Sequence, residues 1–229
     1  MRLIVQQEWG AFDNERKVLR ITPFDNKLDR ESINPRKQAF EKMISGMYLG
    51  EVLRNILLTL VDANLIFQGR HSTVLNTHYG LDTAVMSDLE AGSPSAPSSA
   101  VSPDTSKPST SSDVGRLRQI VQSQLGIEDK YISDSDCYLV QRCSEIVGTR
   151  GARFSAAAIA AVFLQMNMDK SKEDFPVGVD GSLVEFYPRF DERVRTALRE
   201  VIGREAEQRV QIGLAKDGSG VGGESFHLS

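Results

Sequence analysis

Apolar positions recur at helical spacing from residue 35 to about residue 62, which predicts one long, well-buried helix. Asn34 can cap its first turn, and Pro35 suits the first helical position. At 100° per residue, Phe40, Ile44, Met47, Glu51 and Leu58 fall on one face, so a carboxylate interrupts an apolar stripe. Gly46 and Gly50 stand one turn apart beside it. Each weakens a helix by ~1 kcal/mol against Ala, so the pair predicts close approach by another backbone or a ligand. Elsewhere the pattern predicts a short strand at residues 3–5, a polar turn-rich stretch at 23–34, and an apolar 65–67 leading through Gly69 into a loop. Residues 75–89 place Thr83 and Ser87 at helical spacing. Helices are expected over 114–125, as one or two packed elements over 135–168, and as an amphipathic element over 191–202. The alanine-rich run at 155–163 reads as a buried helix that allows close packing. Strands are expected over 176–182 and 210–215. Strands that end in Asp-Gly-Ser turns among long helices predict an α/β sheet with helices on its faces. Ligands in such sheets sit at the carboxyl ends of strands.

Between residues 91 and 113 the composition changes to Ser, Pro, Thr and Asp with almost nothing to bury. Such a segment cannot offset its ordering entropy, so a disordered surface insertion is expected. It divides the chain into 1–90, the insertion 91–113, and 114–229. Ser102-Pro103 within it is a candidate phosphorylation site.

The 229 residues suffice for one large domain or two small ones, and 40% hydrophobic content allows a real core. A net charge of −4 with no basic cluster argues against nucleic-acid or membrane-surface binding. No apolar stretch reads as long enough to span a bilayer, and residues 1–8 are too short for a signal peptide. Only Cys137 and Cys143 occur, without metal-like spacing, which fits a reducing compartment and predicts neither disulfides nor a metal site.

Four groups of residues could carry chemistry. Glu51 in an apolar stripe needs a polar partner or a ligand, and the plain alternative is a carboxylate satisfied by Arg54 or by a neighbouring helix. Glu8 at a strand end could accept two hydroxyl hydrogen bonds, or be an ordinary surface Glu. Thr83 and Ser87 could present hydroxyls to phosphate oxygens from one helical face or N-terminus, or Thr83 could simply cap the helix. Gly181-Ser182 and Gly218-Ser219-Gly220-Val221-Gly222 form turns at strand ends whose amides could approach a ligand. A lone turn of this kind is usually only a turn.

The run Phe40-Glu41-Lys42-Met43-Ile44-Ser45-Gly46-Met47-Tyr48-Leu49-Gly50-Glu51 closely resembles a stretch of the eukaryotic hexokinase family, in particular its fungal glucokinases and hexokinases. Further matches follow in the family's order. They are Gln7-Glu8-Trp9-Gly10-Ala11-Phe12, Leu81-Asp82-Thr83-Ala84-Val85-Met86-Ser87, Gly148-Thr149-Arg150, Val177-Gly178-Val179-Asp180-Gly181-Ser182-Leu183 and Asp217-Gly218-Ser219-Gly220-Val221-Gly222.

The resemblance implies an actin-like, ribonuclease-H-like sugar-kinase fold, large subdomain only. It implies phosphorylation of glucose or another hexose at O6 by ATP, with Mg²⁺ carried on the nucleotide phosphates, in a cytoplasmic setting, or a nuclear one for a regulator. Glu8 and Glu51 fall on the family's sugar-ligating positions. Thr83, Ser87, Gly181, Ser182, Gly218, Ser219, Gly220 and Gly222 fall on its ATP-binding positions. Gln6-Gln7 stands where the family commonly has Asn-Thr, Ala84 stands where some relatives carry a basic residue, and the sequence after Gly222 departs from the usual small apolar run. No counterpart of the family's general-base Asp is found, so the chain alone is expected to be inactive. A non-catalytic hexokinase-like regulator and a truncated fragment are the rival readings.

Overall fold

The structure, a computed structural model, describes residues 9–91, 111–179 and 181–214. The expected strand at 3–5 and most of the Ser/Pro-rich insertion lie outside these residues. Helix α1 (Pro23–Glu31) occupies a stretch whose polarity predicts turns. Thr22 caps it reciprocally: its hydroxyl accepts from Asp25 N, and Asp25 Oδ2 accepts from Thr22 N at 2.8 Å. The helix escapes a hydropathy reading because its inward face carries Asp25 and Asp29 beside Leu28. Asp25 accepts from both terminal nitrogens of Arg150, Nη2 at 2.7 Å and Nη1 at 2.8 Å. Asp29 receives Lys42 Nζ at 2.8 Å, the Arg36 N–H at 3.0 Å, and Arg16.

The expected helix over 35–62 is broken. Residues 35–40 form turns, with Arg36 and Gln38 in the left-handed region. A short α2 (Glu41–Ile44) ends at an extended Ser45, which caps α3 (Gly46–Asp62). The Lys42 ammonium, tied to Asp29 and to Asn34 O, anchors α2 against α1. The break separates the predicted stripe. Phe40 and Ile44 join Met43 and Ala158 in a second core cluster, Met47 is 63% exposed, and Glu51 is buried.

After Phe67–Gly69 come α4 (Thr73–Asn76) and α5 (Thr83–Glu90). Helix α6 (Ser111–Leu125) begins three residues earlier than expected, so Ser111 to Asp113 belong to it and not to a disordered segment. The region over 135–168 is one helix, α7 (Asp134–Gln165), started by a Ser133/Asp136 capping box. Its buried Val140, Val147, Ala152, Ala156, Ile159 and Phe163 form the spine against which α3, α5, α6 and α9 (Phe190–Ile202) pack. Among the described residues it is the one helix long and apolar enough to cross a bilayer, which the sequence reading did not foresee. Half of its apolar window is buried inside the chain, as in a core helix.

Strands β1 (Phe175–Val179) and β2 (Val210–Leu214) pair in parallel, with Val177 opposite Ile212. The chain crosses between them through α8 (Ser182–Phe186), α9 and α10 (Arg204–Arg209). Among the described residues these two strands are the whole sheet, so the layers are more helical than strand spacing predicts. One core cluster runs from Leu28 through Leu89 and Leu117 to Val210, so the segments on both sides of the insertion share a single interior.

The inward carboxylates make this interior sensitive to acid. Burial raises the Asp25 pKa, but Arg150 and Thr22 outweigh it and hold the group below the usual carboxylate range. Asp29 is lowered in the same way: Lys42, the Arg36 N–H and Arg16 outweigh its burial. Groups with lowered folded pKa values stabilise the fold above about pH 4, and that contribution is lost as pH falls through the folded value. Arg150→Met should therefore cost about 3–5 kcal/mol near neutral pH by leaving Asp25 buried and unpaired. It should also flatten the decline in stability below about pH 4, read from urea melts across pH. A variant as stable as the parent would show that the pair carries no structural weight.

Candidate functional site

Gly50 governs how α3 meets the start of α5. A side-chain carbon at this position would collide with Leu81 O and lie only 2.9 Å from Thr83 N. Any residue but glycine would push the two segments apart. The close approach lets Thr83 Oγ1 accept from Gly50 N at 2.9 Å and donate to Gly46 O. One hydroxyl thus bridges a carbonyl and an amide four residues apart in the first turns of α3. The glycine pair predicted a close approach, and the neighbour at Gly50 is the backbone around Leu81–Thr83.

Glu51, the next residue, is 1% exposed. Arg54 Nε donates to its Oε2 at 2.6 Å and Arg54 Nη2 donates to Oε1. The Tyr79 N–H reaches Oε2 at 2.9 Å. Arg54 Nη1 continues to Leu75 O, so one guanidinium joins α3 to α4. The partner considered in the sequence is therefore in place. A carboxylate offers about four acceptor positions, and three are filled here. The remaining Oε1 position faces His78, whose Nδ1 is 4.0 Å away.

Around this carboxylate stand residues that sequence reading missed. His78 Nδ1 lies 3.6 Å from Glu31 Oε2, and Lys27 Nζ donates to Asn55 Oδ1 at 3.0 Å. Tyr79 packs against Tyr48 with ring centroids 6.4 Å apart. Burial raises the Tyr79 phenol above its ordinary pKa, with Tyr48 and Glu51 adding to the effect, so it stays neutral. The available signal was the turn at Thr77-His78-Tyr79-Gly80. Gly80 there sits too close to Val74 O and Thr77 O to carry a side chain.

The nucleotide-side expectations meet a mixed geometry. Asp82, not Thr83, caps α5, its Oδ1 accepting from Ala84 N at 2.7 Å. A carboxylate therefore occupies the helix N-terminus that a phosphate would use. The Thr83 proton is directed at Gly46 O. Ser87 lies half-buried one turn further on. Gly181 is exposed at the end of β1, with open space beside its Cα at φ 156°. Ser182 is the first residue of α8. Glu8, Gly218, Ser219, Gly220 and Gly222 lie outside the described residues. The structure thus places Thr83 directly against the residue preceding Glu51, and Gly181 at the end of the sheet.

A family model described as Hexokinase matches residues 1–225. The chain is 36% identical to a glucokinase of Aspergillus niger over 96% of its own length and 43% of that protein's. It is 34% identical to Hexokinase-1 of Schizosaccharomyces pombe, covering 97% of this chain and 41% of that one. A solved Schistosoma mansoni hexokinase complexed with glucose superposes with a TM-score of 0.74 at 30% identity, over 93% of this chain and 42% of that chain. The fold is the α/β sugar-kinase fold of these proteins. The chain spans about two-fifths of the length of the relatives it matches.

The Glu51–Arg54 pair leads to a direct test. Arg54→Met should destabilise the chain by about 3–5 kcal/mol, because it strands a buried carboxylate. Adding Glu51→Gln should recover part of that loss in chemical denaturation. A double variant as unstable as the sum of its singles would mean that the two side chains do not depend on each other.

Proposed function

The chain belongs to the hexokinase family, and we propose that it serves ATP-dependent phosphorylation of a hexose at the 6-hydroxyl, contributing the hexose-holding wall of a larger cleft. The observation that carries this reading is Glu51. It is a buried carboxylate, held by Arg54 and the Tyr79 N–H, with acceptor capacity left over. Such a group can take a sugar hydroxyl at a fixed distance with little reorganisation. It is poorly suited to remove a proton, since its neutralisation would leave Arg54 buried without its counter-charge. The general base would come from the remainder of a family-length protein. Glu8 would be the second sugar acceptor.

On the nucleotide side, Ser87 and the open backbone at Gly181 would meet ATP, with Ser182, Gly218, Ser219, Gly220 and Gly222 as the further contacts that the family resemblance implies. Thr83 acts as a positioning residue: its hydroxyl holds α5 against the turn of α3 that carries Glu51. Mg²⁺ would arrive on the nucleotide phosphates and balance their charge there. The departures from the family's sequence at Gln6-Gln7 and after Gly222, with the Ser/Pro-rich insertion, favour a second reading, a hexose-binding regulator that does not transfer phosphate.

Calorimetric titration of the full chain separates these outcomes. Glu51→Ala should weaken glucose binding by ~1.5–3 kcal/mol, the scale of a hydrogen bond to a charged group, and leave ATP binding unchanged. Glu51→Gln, which preserves the shape, should weaken it in the same direction. Glucose binding without any ATP binding would select the regulator. Undiminished glucose binding in Glu51→Gln would overturn the assignment of Glu51.

A further inference from the structure

We infer that Glu31, Glu51 and His78 form a site for a divalent transition-metal ion such as Zn²⁺. Each residue offers one ligand atom, and the three atoms lie within 4.8 Å of one another. His78 Nδ1 stands 3.6 Å from Glu31 Oε2 and 4.0 Å from Glu51 Oε1. Nitrogen and oxygen ligands about 2.0–2.2 Å from a tetrahedral zinc are separated by roughly 3.4 Å, so modest side-chain rotations close the set. An imidazole with two carboxylates suits Zn²⁺, Co²⁺ or Ni²⁺ better than Mg²⁺ or Ca²⁺, which favour all-oxygen shells.

The surroundings support this chemistry. Bound metal carboxylates are commonly oriented by outer hydrogen bonds, and Glu51 already has them from Arg54 and the Tyr79 N–H. The Oε1 that faces His78 takes one of these bonds, from Arg54, and has a second acceptor position for the metal. Lys27 Nζ, 4.0 Å from Glu31 Oε2, has an alternative acceptor in Asn55 Oδ1, so it can yield Glu31 to a cation. His78 is 57% exposed, which gives the ion an entry path and room for water in the fourth position. The nearby Arg54 and Lys27 charges hold the affinity below that of a closed structural zinc site. The ligands come from α1, α3 and the loop before α5, so no local sequence spacing announces them. If Glu51 also holds the hexose, which rests on the function proposed above, metal and sugar compete for one carboxylate.

The test uses the full chain with Zn²⁺ alone, followed by calorimetry, and with Co²⁺, followed by its visible absorption. One equivalent should bind, with the Co²⁺ band of a low-coordinate site. His78→Ala and Glu31→Gln should each weaken binding at least tenfold while leaving the circular dichroism spectrum unchanged. His71→Ala, which alters a two-membered His71–Asp62 pair elsewhere, should have no effect. Absence of binding would overturn the inference, as would binding that His78→Ala and Glu31→Gln leave intact. Glucose titrated against the Zn²⁺ complex then judges the other reading separately. Competition supports a shared Glu51, whereas independent binding leaves the metal site standing and removes Glu51 from the sugar site.

Discussion

The close approach of α3 to the start of α5 at Gly50 is the constraint on which the site depends. No side chain fits between Gly50 and the backbone at Leu81 to Thr83. Because of that contact, Thr83 can bridge Gly46 and Gly50, and the loop ahead of α5 can deliver the Tyr79 N–H to Glu51. Gly costs a helix ~1 kcal/mol relative to Ala. Here the cost is offset by two hydrogen bonds, made beside the buried Glu51 carboxylate. The local propensity rule is broken where two backbones must meet closely.

The same logic recurs in the other buried charges. Asp25 with Arg150 joins α1 to α7, and Asp29 with Lys42 joins α1 to α2. Glu90 accepts from Ser144 at 2.9 Å, from Arg193 at 2.6 Å and from Tyr187, tying α5, α7 and α9 together at the edge of the insertion. Burial, then the Glu90 charge, drives the Tyr187 phenol far above its ordinary pKa, so it acts as a fixed donor. Gly148 leaves room for its ring, since a side-chain carbon there would overlap Tyr187 Oη. Each network is costly to break and adds little if both partners are removed together, so its value lies in selecting one arrangement of helices.

These networks explain what was legible in the sequence. Elements with apolar periodicity were readable: α9, β1, β2, most of α6 and the helical ground of α7, though not that it is one helix, together with the burial of Glu51; Arg54 was one of two partners open for it. Helix α1 was not, because it turns carboxylates inward and hydropathy registers them as solvent-facing. The break at Ser45 was hidden as well, since Phe40 and Ile44 keep the helical phase of α3 while packing into a different cluster. Thr83 was legible as a residue of consequence, but its hydroxyl serves α3 and Asp82 takes the cap. Glu31 and His78 left no trace, because only the folded chain brings α1 next to the loop before α5.

A double-mutant cycle between Gly50→Ala and Thr83→Val tests the central contact most directly. If the close approach creates the Thr83 bridge, Gly50→Ala already abolishes it, and Thr83→Val should then cost almost nothing in that background. The coupling energy from urea melts should fall in the range of about 0.5–3 kcal/mol found for residues in contact. Additive losses, with Thr83→Val costing the same in both backgrounds, would contradict the account.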